Sequence, residues 1–589
     1  MQALAAPVVT DVSESLEILS HDDEIGLDIE TGGENKGDGL SPFRGKIAVV
    51  SMFGKQTGRS CVIHTRNGFP DTLRDFLSSG DRLFILHNGP NFDLPFLSNA
   101  GVDIFAGRFY DTLIGECVCL TSGRRDVSVA LDATIKRRLN RVIDKGLATS
   151  NWLAPTLSEA QVAYAASDVM HLPAVRQAQL EICVEDSRID AMELEQALIP
   201  VGARMVLNGI PIDLKRLEEY SDKKMADALK YEKLIIEEYG AVNCNSPAQV
   251  VKLFHSRGFP IANSEESTLA NLAEGPNQDI AWLARAVLAV RTGKKRGNMY
   301  RDDWIGKYVH DGRVHGTFWQ ISTDTGRFSS RNPNMQQFPR DMREPQGAVF
   351  GGEEGMMVCA ADYSQIEAGV AAHLARDKVM LAAYQSEDIH RFVASKIYRK
   401  SPVEVTKYER QVAKSATFHL IFGGGWFGLI EYAMQYGVKL SPEESKEITS
   451  TFFAEFPGLL AMKQRAVMAI QRVKDSALLS NHTPTYTLKL PTGMKRVLIA
   501  DKLKPTVLLN TSVQGTAAAI LKNALLLCHE RGLDRYIGAV VHDEIVATVP
   551  TSYAEEYTSE LVQAMIDGGA RVMSTPVKAE GGYGEYWAK

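Results

Sequence analysis

The chain reads as a multidomain protein of mixed class, an α/β unit followed by a helical stretch and then an α+β body. Three observations predict this. Its 589 residues are too many for one core. Residues 1 to about 190 alternate short apolar runs with helical patterns, the signature of an α/β domain. From about 191 to 312 the text is mostly helical, and from 313 onward strand-like runs mix with long helices. The content of 45% hydrophobic and 23% charged residues is ordinary for a globular protein. The net charge of −7 gives no global basic signal, so a nucleic-acid partner would need local basic patches. Seven scattered cysteines form no C-x-x-C arrangement with a second pair, which argues against zinc and disulfides and for a reducing, cytoplasmic setting. The N-terminus has neither a basic n-region nor a long apolar run, so no signal peptide, membrane span or membrane partner is expected. The absence of G-x-x-x-x-G-K-[ST] excludes a P-loop, and no fixed-period repeat is visible.

In the first unit, EIGLDIET, KIAVVSMFG and RLFILHNG are strand candidates. On EIGLDIET, Asp28 and Glu30 are two apart and so point to one face, with Leu27 and Ile29 on the other. Adjacent carboxylates repel unless a cation lies between them. HNGPNFDLPFL then leads from a strand through a polar loop to Asp93. Residues 158–173 predict a helix, opened by a Ser158–Gln161 capping box and stopped by Pro173. Tyr164 and Asp168 are four apart on it and share a face. The helical stretch carries RTGKKRGNMYR (291–301), five basic residues and no acid. It reads either as a solvated loop or as a DNA-backbone contact through Lys294, Lys295 and Arg296.

The last body contains AVVHDEIVATV (539–549), an apolar run interrupted by His542, Asp543 and Glu544. Burying an unpaired carboxylate is costly. The run is therefore either a tight turn with its polar groups in water or a metal site needing a second carboxylate from elsewhere. MMVCAADYSQIE (356–367) offers one: an apolar strand ending at Asp362. Pairing beside 539–549 would bring Asp362 and Asp543 together in a two-metal geometry. Between them, in YERQVAKSATFHLIFGGG, Arg410, Lys414, Phe418 and Phe422 recur every four residues. Each such step advances a helix by only about 40°, so they form one drifting stripe, and the glycines at 423–425 break the helix. The stripe reads either as basic side chains snorkelling over a core edge or as a face for a triphosphate and a base.

The ordered set D-x-E on a strand, N-x-x-x-F-D, and Y-x-x-x-D on a helix resembles the DEDD-type 3′–5′ exonucleases, in their tyrosine-bearing proofreading branch. TGRFSSRNPNMQQFPR (325–340), DYSQIE (362–367), DIH (388–390), R-x-x-x-K (410–414), NTSVQGTAA (510–518) and VHDE (541–544) occur in the order of the family A DNA polymerases of the bacterial DNA polymerase I type. MVLNGIPID (205–213) and VNCNSPAQVVKLF (242–254) look like that family's thumb entry. The resemblance runs from about residue 20 to the end of the chain. It implies an RNase H-like exonuclease domain (1–190) followed by a right-hand polymerase with thumb (191–312), palm (313–375 and 500–589) and fingers (376–499). A start directly at the exonuclease leaves no room for a 5′ nuclease and resembles a bacteriophage replicative enzyme.

Residue by residue, the resemblance implies that Asp28, Glu30, Asp93 and Asp168 hold two metals while Tyr164 orients the attacking water. Asp362 and Asp543, with Tyr363, would hold the polymerase metals, and Glu544 would assist. Arg410, Lys414 and His390 would hold the triphosphate, Phe418 and Phe422 the nucleotide, and Glu367 would close the sugar 2′ position, with Gln365 nearby. Arg327, Asn510, Gln514 and His542 would face the primer–template terminus. The implied cofactor is Mg²⁺, two ions per site, with Mn²⁺ also suited to carboxylate oxygens. The implied partners are primer–template DNA and dNTPs, with a helicase, primase or processivity factor beside them.

Three departures from the family pattern stand out. Ala368-Gly369-Val370 replaces the usual Leu-Arg-Val, Phe422 stands for Tyr, and Ala519 stands where Asp is frequent. A phenyl ring has no donor, so Phe422 is expected to leave Glu367 without its usual tether, and Glu367 is then either more mobile or held by another donor. Two other functions compete: a single-subunit RNA polymerase, opposed by Glu367 and the proofreading motifs, and a silent DNA-binding scaffold, opposed by the complete carboxylate sets.

Overall fold

The structure is a computed structural model, and it describes residues 8–120, 127–344, 347–480, 482–499 and 502–587. Five strands form the first sheet: β1 (Glu24–Gly32), β2 (Lys46–Gly54), β3 (Ser60–His64), β4 (Leu83–Leu86) and β5 (Arg108–Asp111). Their order is β3-β2-β1-β4-β5, with β1 antiparallel to β2 and parallel to β4. The three sequence-derived strands are β1, β2 and β4. The last ends at Leu86, before the expected 89, because Asn88 takes a left-handed φ of 74° and starts a 3₁₀ turn.

The helix expected over 158–173 spans Glu159–Val169. Its capping box is present: Ser158 Oγ accepts from the Gln161 amide at 3.2 Å and Gln161 Oε1 from the Ser158 amide at 3.0 Å. Pro173 does not stop it. Proline is tolerated in a first helical turn, and here it opens the next helix, Leu172–Glu185.

The basic run 291–301 is not a loop; it lies largely in the helix Gln278–Met299. Its glycines serve close packing. A Cβ on Gly293 would lie 2.7 Å from the Lys224 carbonyl, and one on Gly297 3.0 Å from that of Ser221, both on the helix Leu214–Tyr239.

The second sheet is antiparallel, in the order Ile537–Val541, Glu544–Pro550, Met356–Tyr363, Ala579–Gly584. The helices Pro505–Glu530 and Ala554–Ala570 pack together behind it. One large core surrounds this sheet and another the first. A buried ion pair joins the two regions: Lys522 donates to Glu195, whose carbonyl also accepts from Gln320 Nε2 at 3.0 Å. No helix among the described residues is long and apolar enough to cross a membrane.

Candidate active sites

The first site lies along β1. Asp28 and Glu30 alternate onto one face, and carboxylate oxygens of Asp28, Glu30 and Asp168 all lie within 4.8 Å of one another. Asp93 begins the helix Asp93–Asn99, and its Oδ1 accepts the Ile29 amide at 3.2 Å, which ties it to the same strand. Tyr164 and Asp168 share the buried side of their helix. Burial and then the Asp168 charge push Asp28 up to about 7. Burial, then Asp28 and Asp168, push Glu30 up to about 9. Asp93 is raised well above the ordinary carboxylate range by burial and then by Asp28. Lys145 Nζ donates to Asp168 Oδ2 at 2.8 Å and lies 5.5 Å from the Tyr164 ring centroid. Asp168 Oδ1 is buried with no hydrogen-bond partner. Crowded all-oxygen ligands with one unanswered lone pair fit a hard divalent cation. Lys145 and Trp152, whose ring lies 5.8 Å from Tyr164, have no motif that marks them in the sequence.

The second site answers the alternatives left open for residues 539–549. The chain does turn tightly: Val541 pairs with Glu544, leaving His542-Asp543 as a two-residue loop, with His542 at a left-handed φ of 61°. Its acids are not all in water, since Glu544 is buried. The register sets Asp362 opposite Glu544, so Asp362 and Asp543 converge. Burial and then the Asp362 charge push Asp543 up to about 6. Arg340, Arg343, Glu344, Asp362, Asp543 and Glu544 line a cleft of about 160 Å³, with His542 at its exposed edge.

Strand alternation turns Tyr363 away from Asp362 and into the core, where its hydroxyl donates to the Met565 carbonyl at 2.7 Å. Its side chain does not line the cleft, and a metal contact at Tyr363 would have to come from its backbone carbonyl. Gln365 is exposed, at a φ of 54° just before the helix Ile366–Ala375.

The helix Lys407–Leu420, capped by a Thr406–Glu409 box, presents Arg410, Lys414 and Phe418 on one half-exposed side. Phe422 lies past its end, in the turn leading to Gly423 at φ 80°, so it is not part of the helical stripe. Arg410 Nε donates to Asp388 Oδ2 at 2.7 Å, and the His390 ring lies 5.6 Å from Phe418. Burial, then Arg410 and Lys414, push His390 down to about 4, so it is neutral at pH 7.

Glu367 is held by donors other than residue 422. Its Oε1 accepts from Arg327 Nη2 at 2.7 Å and from Gln514 Nε2 at 3.4 Å. The donor missing at Phe422 is replaced by two side chains that the sequence assigned to the primer terminus. Asn510 sits one turn before Gln514 on the helix Pro505–Glu530. The departure at Gly369 also has a cause: a Cβ there would come within 2.5 Å of the Tyr384 ring. Ala519 is buried in its helix. Of the basic run, Lys294 pairs with Glu232 at 2.6 Å and Arg296 with Asp341 at 3.2 Å, while Lys295 is exposed.

Residues 9–180 match the model of a 3′–5′ exonuclease, and residues 214–589 match that of DNA polymerase family A. The chain belongs to DNA polymerase family A. Its match to the DNA polymerase I of Aquifex aeolicus is 32% identical over 539 residues, covering 86% of this chain and 88% of that one. The match to the DNA polymerase I of Pseudomonas aeruginosa is 30% identical and covers 84% of this chain, which spans about half (55%) of that relative. The POL domain of Pol1 from M. smegmatis, solved in complex with DNA primer-template and dNTP, superposes with a TM-score of 0.80 at 21% identity, covering 99% of both chains. That likeness establishes the fold: an RNase H-like exonuclease domain ahead of a right-hand polymerase.

Proposed function

We propose that this family A chain replicates DNA at the second carboxylate site and proofreads at the first, with residues 1–190 as exonuclease, 191–312 as thumb, 313–375 and 500–589 as palm, and 376–499 as fingers. The observation that carries the reading is the placement of two carboxylate sets on two separate sheets, with the Arg410–Lys414 helix in the body of the second. In extension, a primer 3′-OH attacks the α-phosphate of a dNTP and pyrophosphate leaves. In digestion, water attacks the last phosphodiester and a nucleoside monophosphate leaves. Mg²⁺ (or Mn²⁺), two per site, would supply Lewis-acid activation and charge neutralisation.

Asp28, Glu30, Asp93 and Asp168 would hold the metals of the first site, and Tyr164 would orient the water. Asp362 and Asp543 would hold those of the second. Arg410 and Lys414 bind the triphosphate as charge-assisted donors, and neutral His390 adds a donor without a third charge. Phe418 packs on the nucleotide, Glu367 excludes a 2′-hydroxyl, and Arg327, Gln514 and His542 meet the primer–template terminus, with Asn510 in support. Gln365, Phe422, Lys294, Lys295 and Arg296 would border the nucleotide or the duplex. The bacterial relatives support a cytoplasmic site of action, and a helicase, primase or processivity factor would act beside it.

A 5′-labelled primer–template, incubated with dNTPs, with NTPs or with no nucleotide, tests the reading. Extension with dNTPs and shortening without nucleotide are expected. Preference for NTPs, or inertness in every lane, would overturn it.

A further inference from the structure

Glu544 stands in register with Asp362 and directly follows Asp543, yet side chains from two other segments engage both of its oxygens. Its Oε1 accepts from Trp587 Nε1 at 3.1 Å, and its Oε2 lies 3.6 Å from Arg343 Nη1. The Arg343 guanidinium in turn sits 4.8 Å from the Trp587 ring centroid, closing the cluster. Glu544 is 2% exposed and Trp587 1%. Trp587 is itself anchored, because its amide donates to the Phe350 carbonyl at 2.7 Å and its ring packs 5.8 Å from Phe350.

We infer that Glu544 is a positioning residue rather than a metal ligand, and that Trp587 and Arg343 hold the polymerase carboxylates in place through it. Glu544 pairs with Val541 across the hairpin and with Asp362 across the sheet, so fixing its side chain fixes the loop that carries Asp543 and the strand end that carries Asp362. A displacement of about 1 Å at reacting groups is enough to slow a reaction severely. Arg343 balances the charge of the buried carboxylate, and the indole donor fixes its direction, so losing either loosens the hold on the loop.

The inference rests on extension taking place at the second site, and single-turnover extension by the full chain tests both claims. Trp587→Phe keeps the ring and removes the donor. Its maximal rate should fall roughly tenfold, the scale of a lost hydrogen bond to a charged group. The dNTP concentration at half-maximal rate, the melting temperature and digestion of single strands should hardly move. Arg343→Lys, which keeps the charge and loses the fork, should act in the same direction. Because Trp587 works through Glu544, Trp587→Phe combined with Glu544→Ala, which removes the acceptor, should be no slower than Glu544→Ala alone. Mn²⁺ binding without DNA, measured by electron paramagnetic resonance in an Asp28→Asn background, should survive Glu544→Gln and weaken with Asp543→Asn. Wild-type rates in Trp587→Phe, additive losses in the double variant, or equal loss of Mn²⁺ in the two acidic variants would each overturn the inference. A wild-type chain that extends no primer would instead overturn the functional reading beneath it.

Discussion

The two carboxylate sites solve the same electrostatic problem in different ways. At the first, Asp28, Glu30 and Asp168 crowd together with Asp93 beside them, and among the described residues Lys145 is paired with them through Asp168. Glu30 is accordingly pushed up to about 9. At the second, Arg343 and Trp587 engage Glu544 and Arg327 engages Glu367, and Asp543 rises only to about 6. Like charges disfavour ionisation and nearby cations favour it. The first site thus depends on bound cations for its charge balance, whereas the fold supplies part of that balance at the second.

The sharpest way to break this contrast is to empty the second site alone. Asp543→Ala should cut extension by about three orders of magnitude or more, equivalent to about 4 kcal/mol of transition-state stabilisation, while digestion of single strands continues. Extension at a near wild-type rate would remove Asp543 from the reaction. Glu367→Ala should come next. Comparison of dCTP with CTP in single turnovers should show discrimination falling by roughly 10- to 100-fold, and an unchanged ratio would take Glu367 out of the sugar pocket.

The electrostatic difference itself is read by melting without metal. Asp28 and Glu30 have folded-state values of about 7 and 9 against ordinary values of 3.8 and 4.5. For acids raised in this way, stability is intact below the ordinary values and is lost as pH rises through the folded ones. The metal-free wild type should therefore melt several degrees below Asp28→Asn/Glu30→Gln at pH 8, with the gap closing near pH 4 and narrowing at pH 8 when Mg²⁺ is added. A gap that does not change with pH would contradict the crowding account. The smallest effect is expected at Phe422→Tyr. Arg327 and Gln514 already hold Glu367, so the dNTP-to-NTP preference should change by less than about threefold. A tenfold gain would mean that the tether seen here gives way when DNA binds.

The carboxylates were legible in the sequence because strand and helix periods fix which of them share a face. Asp28 with Glu30 and Tyr164 with Asp168 follow from spacing alone, whereas the pairing of Asp362 with the 539–549 hairpin was a condition that the strand register meets. What spacing could not give is the counter-charge. Lys145, Arg343 and Trp587 reach their sites from segments with no pattern of their own, and Arg327 pairs with Glu367 across 40 residues. Of the two readings of 291–301, the loop is excluded by the helix Gln278–Met299, in which Gly293 and Gly297 are the small residues that let two helices approach. Period-two alternation also accounts for the Tyr363 side chain, which points away from Asp362 and into the core.

The account's central claim is that the two sites work independently on one chain. Asp28→Ala/Glu30→Ala, assayed on one 5′-labelled primer–template with and without dNTPs, tests it most directly. Shortening of the primer should disappear while the extension rate stays within about threefold of wild type. Extension that falls as far as digestion would contradict the claim and make the two carboxylate sets parts of one machine.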